Sequence, residues 1–236
     1  VKHEQGGFVR ARNLIRLARF GLFDAFCWPS LHSLLVVSHD DLARSERARL
    51  RRRTVVVPNG VDCSTVTAKS TYEGSKPLLL FTGDMSFQPN IDAALFLANE
   101  VFPEIRRELP EVELRFVGRN PDPRIQALVQ TGIVVAGAVP DMLPHLHEAT
   151  VYVAPHFTGA GTRTKLLEAM AAGLPIVTTT VGIEGIDVQP GRDALIADSA
   201  KDMIESLLTL LASADDRRRL GLAARQLAEA RYDWNR

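Results

Sequence analysis

The chain has 236 residues, 46% of them hydrophobic, which is enough to bury the core of one large domain or two small ones. Its 28 Lys and Arg residues balance 28 Asp and Glu residues, so no net field attracts nucleic acid and a nucleic-acid partner is disfavoured. The longest apolar run, around residues 78–82, has the length of a strand and falls far short of the roughly 20 residues that a membrane span requires.

The N-terminal segment begins at Val1 without an initiator Met, an apolar signal core or a cleavage pattern, which indicates an internal start of a longer chain. A helix is predicted over residues 8–20, where arginines alternate with apolar residues. This pattern is typical of a peripheral contact with an anionic membrane, but a packing face with snorkelling arginines explains it equally well. The Arg-rich run 44–53 favours a solvated helix face over a phosphate or membrane contact.

Short β-branched runs alternate with segments of helical period, a pattern typical of parallel strands joined by crossover helices. The predicted strands are residues 33–38, 54–58, 77–83, 112–118, 133–137, 150–155, 175–180 and 193–197. The later predicted helices are residues 40–48, 91–109, 123–130, 164–172, 200–211 and 215–231. The predicted fold class is therefore α/β, a Rossmann-like doubly wound parallel sheet, in which ligands collect at the carboxyl ends of the strands.

A domain boundary is predicted near residue 60. The turn Pro58-Asn59-Gly60-Val61-Asp62 closes a strand and precedes a polar stretch of linker composition, residues 64–76. The two predicted domains are residues 1–59 and 60–236. Cys27 and Cys63 show neither metal-type spacing nor a paired framework, which suits a reducing compartment, and we expect a cytoplasmic location.

The most informative stretch for function is residues 155–175, where a strand exit leads through a loop with Gly159 and Gly161 into a helix. Glycines let the backbone approach a phosphate closely, and a helix N-terminus supplies unpaired N–H groups and partial positive charge. Arg163 and Lys165 oppose the helix dipole there, so stability alone gives little reason for them, and a bound anion would remove the conflict. The stretch therefore predicts a phosphate site. The alternative is a surface pair between Lys165 and Glu168 at i,i+3.

The helix after this loop carries an apolar stripe that is predicted to pack under the sheet: Leu166, Leu167, Met170 and Ala171. Lys165, Glu168 and Ala172 are predicted to lie on a different face. Glu168 stands one turn beyond the phosphate site, where a carboxylate could accept both vicinal hydroxyls of a ribose. The helix is predicted to end at Gly173, in the left-handed conformation, because Pro175 forbids its continuation.

The same region contains the run Gly159-x-Gly161-Thr162-Arg163-x-Lys165-x-x-Glu168-Ala169-Met170-Ala171-x-Gly173-x-Pro175-Ile176-Val177-x-Thr179. This run resembles the signature of the retaining family 4 glycosyltransferases of the two-domain B fold, with the Gly-x-Gly-Thr-Arg variant of exopolysaccharide and cell-envelope branches. Outlying motifs fit as well: Pro58 to Asp62, Gly83-Asp84-Met85 with Pro89-Asn90, Val117-Gly118, Gly182-x-Glu184-Gly185, Ala224-Arg225 and Tyr232-x-Trp234. The resemblance covers residues 33–236.

The resemblance implies a nucleotide-diphosphate sugar as donor, a saccharide or lipid-linked acceptor, retention of anomeric configuration, and neither a cofactor nor an essential metal. Arg163 and Lys165 would be the catalytic cations that neutralise the departing diphosphate, and Glu168 would hold the ribose. The remaining substrate-binding residues would be Gly83, Asn90, Gly118, Arg119, Val139, Gly161, Thr162 and Leu166. Of these, Gly83 and Gly161 would touch phosphate or sugar, and Gly118, Arg119 and Val139 would flank the base.

Three features depart from the family pattern. Ala160 stands where many members carry a Glu near the transferred sugar, and Asn90 is the nearest match to a Lys that grips the diphosphate, so Arg163 and Lys165 would take over that charge. Residues 1–59 would be only the remnant of an acceptor-side domain. Residues 60–236 would be the donor-binding domain, and we expect the isolated chain to be inactive.

Other functions compete with this interpretation. Gly159-x-Gly161 followed by Glu184 mimics an NAD(P)-type dinucleotide-binding module, although the third glycine position is Thr164. A non-catalytic scaffold derived from a transferase is the third alternative. His145 and His147 are expected to be solvated, because i,i+2 residues on a helix point apart and cannot share a metal. His156 follows a strand and faces the ligand crevice, where it could touch the donor, although loop histidines are more often bystanders.

Overall fold

The computed structural model describes residues 18–19, 21–22, 32–47, 54–73, 76–159 and 161–236. The chain divides into two compact units, Val1–Val57 and Pro58–Arg236. Most of the predicted helix 8–20, the side chains of the Arg-rich run 44–53, Cys27 and Ala160 lie outside the described residues. No helix in the described ranges combines the length and the apolar character needed to span a bilayer.

The first unit contains a parallel pair of short strands with a helix between them. Strand β1 (Leu34–Val36) pairs in register with β2 (Thr54–Val56), and α1 (His39–Arg47) connects them. Ser38 caps the helix, because its Oγ accepts a hydrogen bond from the Asp41 amide at 3.1 Å. These elements confirm the two strands and the helix predicted for this part of the chain.

The second unit contains a six-stranded sheet in which every neighbouring pair is parallel. Its strands are β3 (Leu78–Thr82), β4 (Glu113–Val117), β5 (Ile133–Gly137), β6 (Val151–Ala154), β7 (Ile176–Thr178) and β8 (Leu195–Ile196). Their order is β5-β4-β3-β6-β7-β8, so the direction of winding reverses between β3 and β6. This is the order of the doubly wound Rossmann sheet, and the predicted fold class is confirmed.

Helices cover both faces of the sheet. They are α2 (Gln88–Phe96), α3 (Phe102–Glu108), α4 (Pro123–Gln126), α5 (Leu143–Glu148), α6 (Thr164–Ala171), α7 (Ala200–Ala212) and α8 (Ala214–Arg231). A π-helical turn, Leu97–Val101, interrupts the single helix predicted for residues 91–109. No predicted range covers α5, whose one fully buried residue, Leu146, leaves little periodic signal.

The central strand β3 is buried on both sides. Leu79 and Phe81 point into a core cluster with α2, α3 and α7, whereas Leu78 and Leu80 point into a second cluster with α6 and α8. Because no face of the strand meets water, apolar residues run through it without alternation.

Helix α6 ends as predicted. Gly173 has φ +71°, and the Leu174 amide donates to the Ala169 carbonyl at 3.0 Å, which closes a Schellman-type end before β7. The prediction that Ala172 lies on a different face from the apolar stripe is wrong, since this residue is fully buried in the same core cluster as Leu166 and Met170. Helix α6 contacts α8 as well as the sheet, so its apolar surface is wider than one stripe.

Candidate functional site

A cleft of about 180 Å³ opens at the carboxyl ends of β3 and β6, where the winding of the sheet reverses. Thr82 at the end of β3 and Tyr152 and Ala154 of β6 line it, together with Phe87, which precedes α2, and Pro89 in the first turn of α2. The Thr82 and Tyr152 hydroxyls are 2.8 Å apart and buried, which ties the two strands together below the cleft. Ligands of doubly wound sheets bind at this switch point.

The glycine loop and the start of α6 form one wall of the cleft. Gly159 and Gly161 both have positive φ, +104° and +90°, a backbone conformation that favours glycine. Helix α6 begins at Thr164, and no described side chain caps its N-terminus. Its first-turn amides are therefore not satisfied by a capping side chain, as an anion site requires.

Arg163 is held in place by backbone carbonyls. Its guanidinium donates to the carbonyl oxygens of Val181 at 2.8 Å and Thr158 at 3.1 Å. Burial lowers the pKa of Arg163, with Glu184 opposing the shift. These two bonds fix the position of the planar group and leave further N–H donors available to a ligand.

Lys165 and Glu168 are half-buried one turn apart on α6. Burial lowers the pKa of Lys165 and raises that of Glu168, and each charge partly offsets the shift of the other. Within the described part of the chain, neither side chain makes a hydrogen bond or an ion pair within 4 Å, so Lys165 and Glu168 interact only through their charges and the close surface pair is not formed. Partly desolvated charges without a close partner are characteristic of functional sites.

The loops after β3 and β4 are joined next to the cleft. The Gly83 amide donates to the Val117 carbonyl at 3.0 Å, and the Arg119 guanidinium pairs with Asp84 at 2.8 Å. Hydrogen bonds from Ser86, and then the one from Arg119, lower the pKa of Asp84 to about 2.

Asn90 and His156 form a pair across the cleft. The Asn90 amide nitrogen donates to the Asp84 carbonyl at 2.8 Å, and its amide oxygen lies 2.9 Å from Nε2 of His156. His156 is only 7% exposed and lines the cleft. Nothing in the sequence indicated that Asn90 and His156 interact: Asn90 matched a lysine of the family, and the position of His156 after a strand indicated only that it faces the crevice.

The structure brings together some of the predicted site residues and separates others. The cleft is lined by Asn90, Gly161, Thr162, Arg163, Lys165 and Leu166. Leu166 contributes from the core, because it is 1% exposed. The predicted residues that lie outside the lining of the cleft are Gly83, Gly118, Arg119, Val139 and Glu168.

The described residues contain no group of three or more His, Cys, Asp or Glu side chains that could hold a metal ion. His147 Nε2 lies 2.8 Å from the Thr67 carbonyl, whereas His145 Nδ1 lies 3.4 Å from the Arg115 guanidinium. The two histidines therefore face different partners.

Comparison with known proteins identifies a matching sequence family, described as glycosyl transferases group 1, over residues 76–213. The chain is 30% identical over 214 residues to the phosphatidyl-myo-inositol mannosyltransferase of Mycolicibacterium smegmatis. That alignment covers 84% of this chain and 53% of the relative. The chain thus spans about half the length of this curated relative.

Solved structures share the fold. A variant of S. aureus TarM in complex with fondaparinux, α-GlcNAc-glycerol and UDP gives a TM-score of 0.73 at 14% identity, over 87% of this chain and 42% of TarM. Anabaena HepE in complex with UDP and glucose gives 0.69 at 14% identity, over 86% of this chain and 59% of HepE. At these identities the likeness concerns the fold alone.

Proposed function

The chain belongs to the group 1 glycosyl transferases, and on that premise we propose that it binds a nucleotide-diphosphate sugar in the cleft between β3 and β6. In this proposal it supplies the donor side of a retaining transfer to a saccharide or lipid-linked acceptor. The observation that carries the proposal is the uncapped start of α6, with Arg163 and Lys165 half-buried beside a glycine loop at the switch point of the sheet.

The diphosphate is assigned to this wall of the cleft. The leaving nucleoside diphosphate gains negative charge as the bond to the sugar breaks. Cations and helix N–H groups already in position stabilise that charge without reorganising, which lowers the barrier. Arg163 is fixed by its two carbonyl partners, whereas Lys165 has a flexible stem and can follow the phosphate.

The ribose is assigned to Glu168. Its side chain lies on the same helix one turn beyond Lys165, and burial raises its pKa, so the carboxylate is poorly solvated. Accepting hydrogen bonds from two ribose hydroxyls would replace the missing water. Arg119, Gly118 and Val139 would then lie toward the base, outside the lining of the cleft.

The acceptor and the domain roles belong to the same proposal. The UDP in the TarM and HepE complexes supports a uridine diphosphate sugar as one candidate donor, and the mannosyltransferase named for phosphatidyl-myo-inositol supports a lipid-linked acceptor. We propose residues 60–236 as the donor domain and residues 1–59 as part of an acceptor-side domain. We expect this chain alone to bind donor but not to transfer sugar, because no acceptor wall would orient the reaction or exclude water.

Calorimetric titration tests the proposal. UDP, GDP, their sugar conjugates and NADH are titrated into the chain and into Arg163→Ala, Lys165→Ala and Glu168→Ala. Lys201→Ala serves as a matched control, since its side chain is 82% exposed on α7. We expect the three site variants to weaken binding and the control to leave it unchanged. Failure of every nucleotide to bind the folded chain would contradict donor binding, and binding of NADH alone would favour the dinucleotide module.

A further inference from the structure

Two residues that line the same cleft each carry a buried polar atom without a hydrogen-bond partner in the described part of the chain. Within the described residues, the buried side-chain nitrogen and oxygen atoms that lack a hydrogen-bond partner are His156 Nδ1 and Thr162 Oγ1. Both residues line the cleft, one after β6 and one before α6. A buried polar atom without a partner is costly, so two of them at one cavity indicate a ligand group that satisfies both.

The contacts of Asn90 determine what His156 can bind. The Asn90 amide nitrogen donates to the Asp84 carbonyl, so the Asn90 amide oxygen faces His156 Nε2 and must accept a hydrogen bond from it. We therefore assign the proton of the neutral imidazole to Nε2, which leaves Nδ1 as an acceptor. Burial first, and the positive charge of Arg163 second, lower the pKa of His156 to about 4, so the ring is neutral near pH 7.

We infer that His156 and Thr162 form a hydroxyl-binding subsite that reads one hydroxyl of the transferred sugar, with Asn90 as the positioning residue. The inference rests on the proposed function and deepens it. A phosphate oxygen cannot donate to Nδ1, whereas a sugar hydroxyl can donate to Nδ1 and accept from the Thr162 hydroxyl at the same time. Arg163 and Lys165, the two half-buried cations that follow Thr162 in the same wall of the cleft, remain available to the phosphates.

The room for Asn90 comes from a glycine. A Cβ atom at Gly83 would lie 2.7 Å from the Asn90 amide nitrogen and 2.9 Å from its amide carbon. The subsite therefore depends on Asn90, whose side chain packs against the loop after β3 on one side and is hydrogen-bonded to His156 on the other. This arrangement holds the imidazole before any sugar enters, so little ordering is needed on binding.

The first test compares nucleotide with conjugate. Dissociation constants are measured for UDP and UDP-glucose, and for GDP and GDP-mannose, on the wild type, Thr162→Val and Thr162→Ser. We expect Thr162→Val to weaken the conjugate relative to its nucleotide by about 2- to 12-fold, the worth of one neutral hydrogen bond. Thr162→Ser keeps the hydroxyl and should retain the wild-type ratio. Thermal unfolding of each variant verifies that it is folded.

The second test observes the imidazole of His156 directly. Imidazole nitrogen NMR of the wild type should show the Nε2–H tautomer at pH 7, and the Nδ1 resonance should move with the sugar conjugate but not with the nucleotide alone. Asn90→Leu should abolish the tautomer preference, which a purely structural role would not predict. One outcome is that the wild type binds nucleotides while Thr162→Val leaves the ratio of conjugate to nucleotide dissociation constants unchanged and the Nδ1 resonance does not move. That result overturns the subsite but not the proposed function. If wild type binds neither nucleotide nor conjugate, the proposed function falls and the subsite with it.

Discussion

Gly118 lies directly against the backbone of Gly83, so that a Cβ atom at Gly118 would sit 1.6 Å from the Gly83 carbonyl oxygen. This contact joins the loops after β4 and β3 at the carboxyl edge of the sheet. Gly83 in turn packs against Asn90, which holds His156. A side chain at Gly118 would therefore disturb a path of contacts that leads into the cleft.

Gly118→Ala should lower the free energy of unfolding by about 3 kcal/mol or more, because backbone atoms must move to admit the methyl group. Gly191→Ala is the control. Gly191 has φ +80° and no atom near its added Cβ, so only conformational strain of about 1–2 kcal/mol applies. Urea unfolding measures both. Equal losses in the two variants would show that the Gly118–Gly83 contact relaxes easily.

Replacing Arg163 and replacing Lys165 should change the free energy of unfolding differently. Arg163→Ala removes the donor from the Val181 and Thr158 carbonyls, and we expect a loss of about 1–3 kcal/mol in unfolding free energy. Lys165→Met removes a partly buried ammonium for which no close partner is described, so stability should be unchanged or higher. Both variants should weaken nucleotide binding. Chemical unfolding and calorimetry on the same samples check the prediction, which fails if Lys165→Met destabilises as much as Arg163→Ala.

The stability of the chain should depend on His156 in acid. Its pKa is 6.5 when unfolded and about 4 when folded, so between these values the unfolded chain binds the extra proton. The stabilisation is fully present above pH 6.5 and is lost as the pH falls toward 4, by about 1.4 kcal/mol per pH unit. His156→Gln, which cannot titrate, should show a shallower decline in unfolding free energy over this window. Parallel curves for the two proteins would contradict the neutral buried ring.

Glu168 should discriminate ribose from deoxyribose. If its carboxylate accepts from the ribose hydroxyls, Glu168→Ala should weaken UDP by about 10-fold or more, the worth of one charged hydrogen bond. It should weaken 2′-deoxy-UDP distinctly less, because one of those hydroxyls is already absent. The measurement is a double cycle of four dissociation constants, those of UDP and 2′-deoxy-UDP on the wild type and on Glu168→Ala. If guanine is the preferred base, GDP and its deoxy analogue replace the uridine nucleotides. An equal effect on both nucleotides would remove Glu168 from the ribose.

Local signals in the sequence were sufficient to predict the strands of the sheet and to propose the residues of one wall of the cleft. Strands β3 and β6 are buried on both faces, so they are continuous apolar runs that end in polar or Gly and Pro residues. The end of α6 at Gly173 followed from the conformation that glycine allows and the continuation that Pro175 forbids. The glycine loop with Arg163 and Lys165 could be proposed as a phosphate site from the sequence, because its residues are contiguous in the chain.

Only the tertiary structure decided which distant residues meet. Thr82 and Tyr152 are 70 positions apart, and Asn90 and His156 are 66 apart, yet each pair is hydrogen-bonded because the sheet places β3 beside β6. The same packing buries Ala172, supplies the carbonyl partners of Arg163 and leaves His156 Nδ1 and Thr162 Oγ1 unpaired. Propensity and periodicity act over a few residues, whereas strand order and unsatisfied atoms are properties of contacts between segments, which no local pattern encodes.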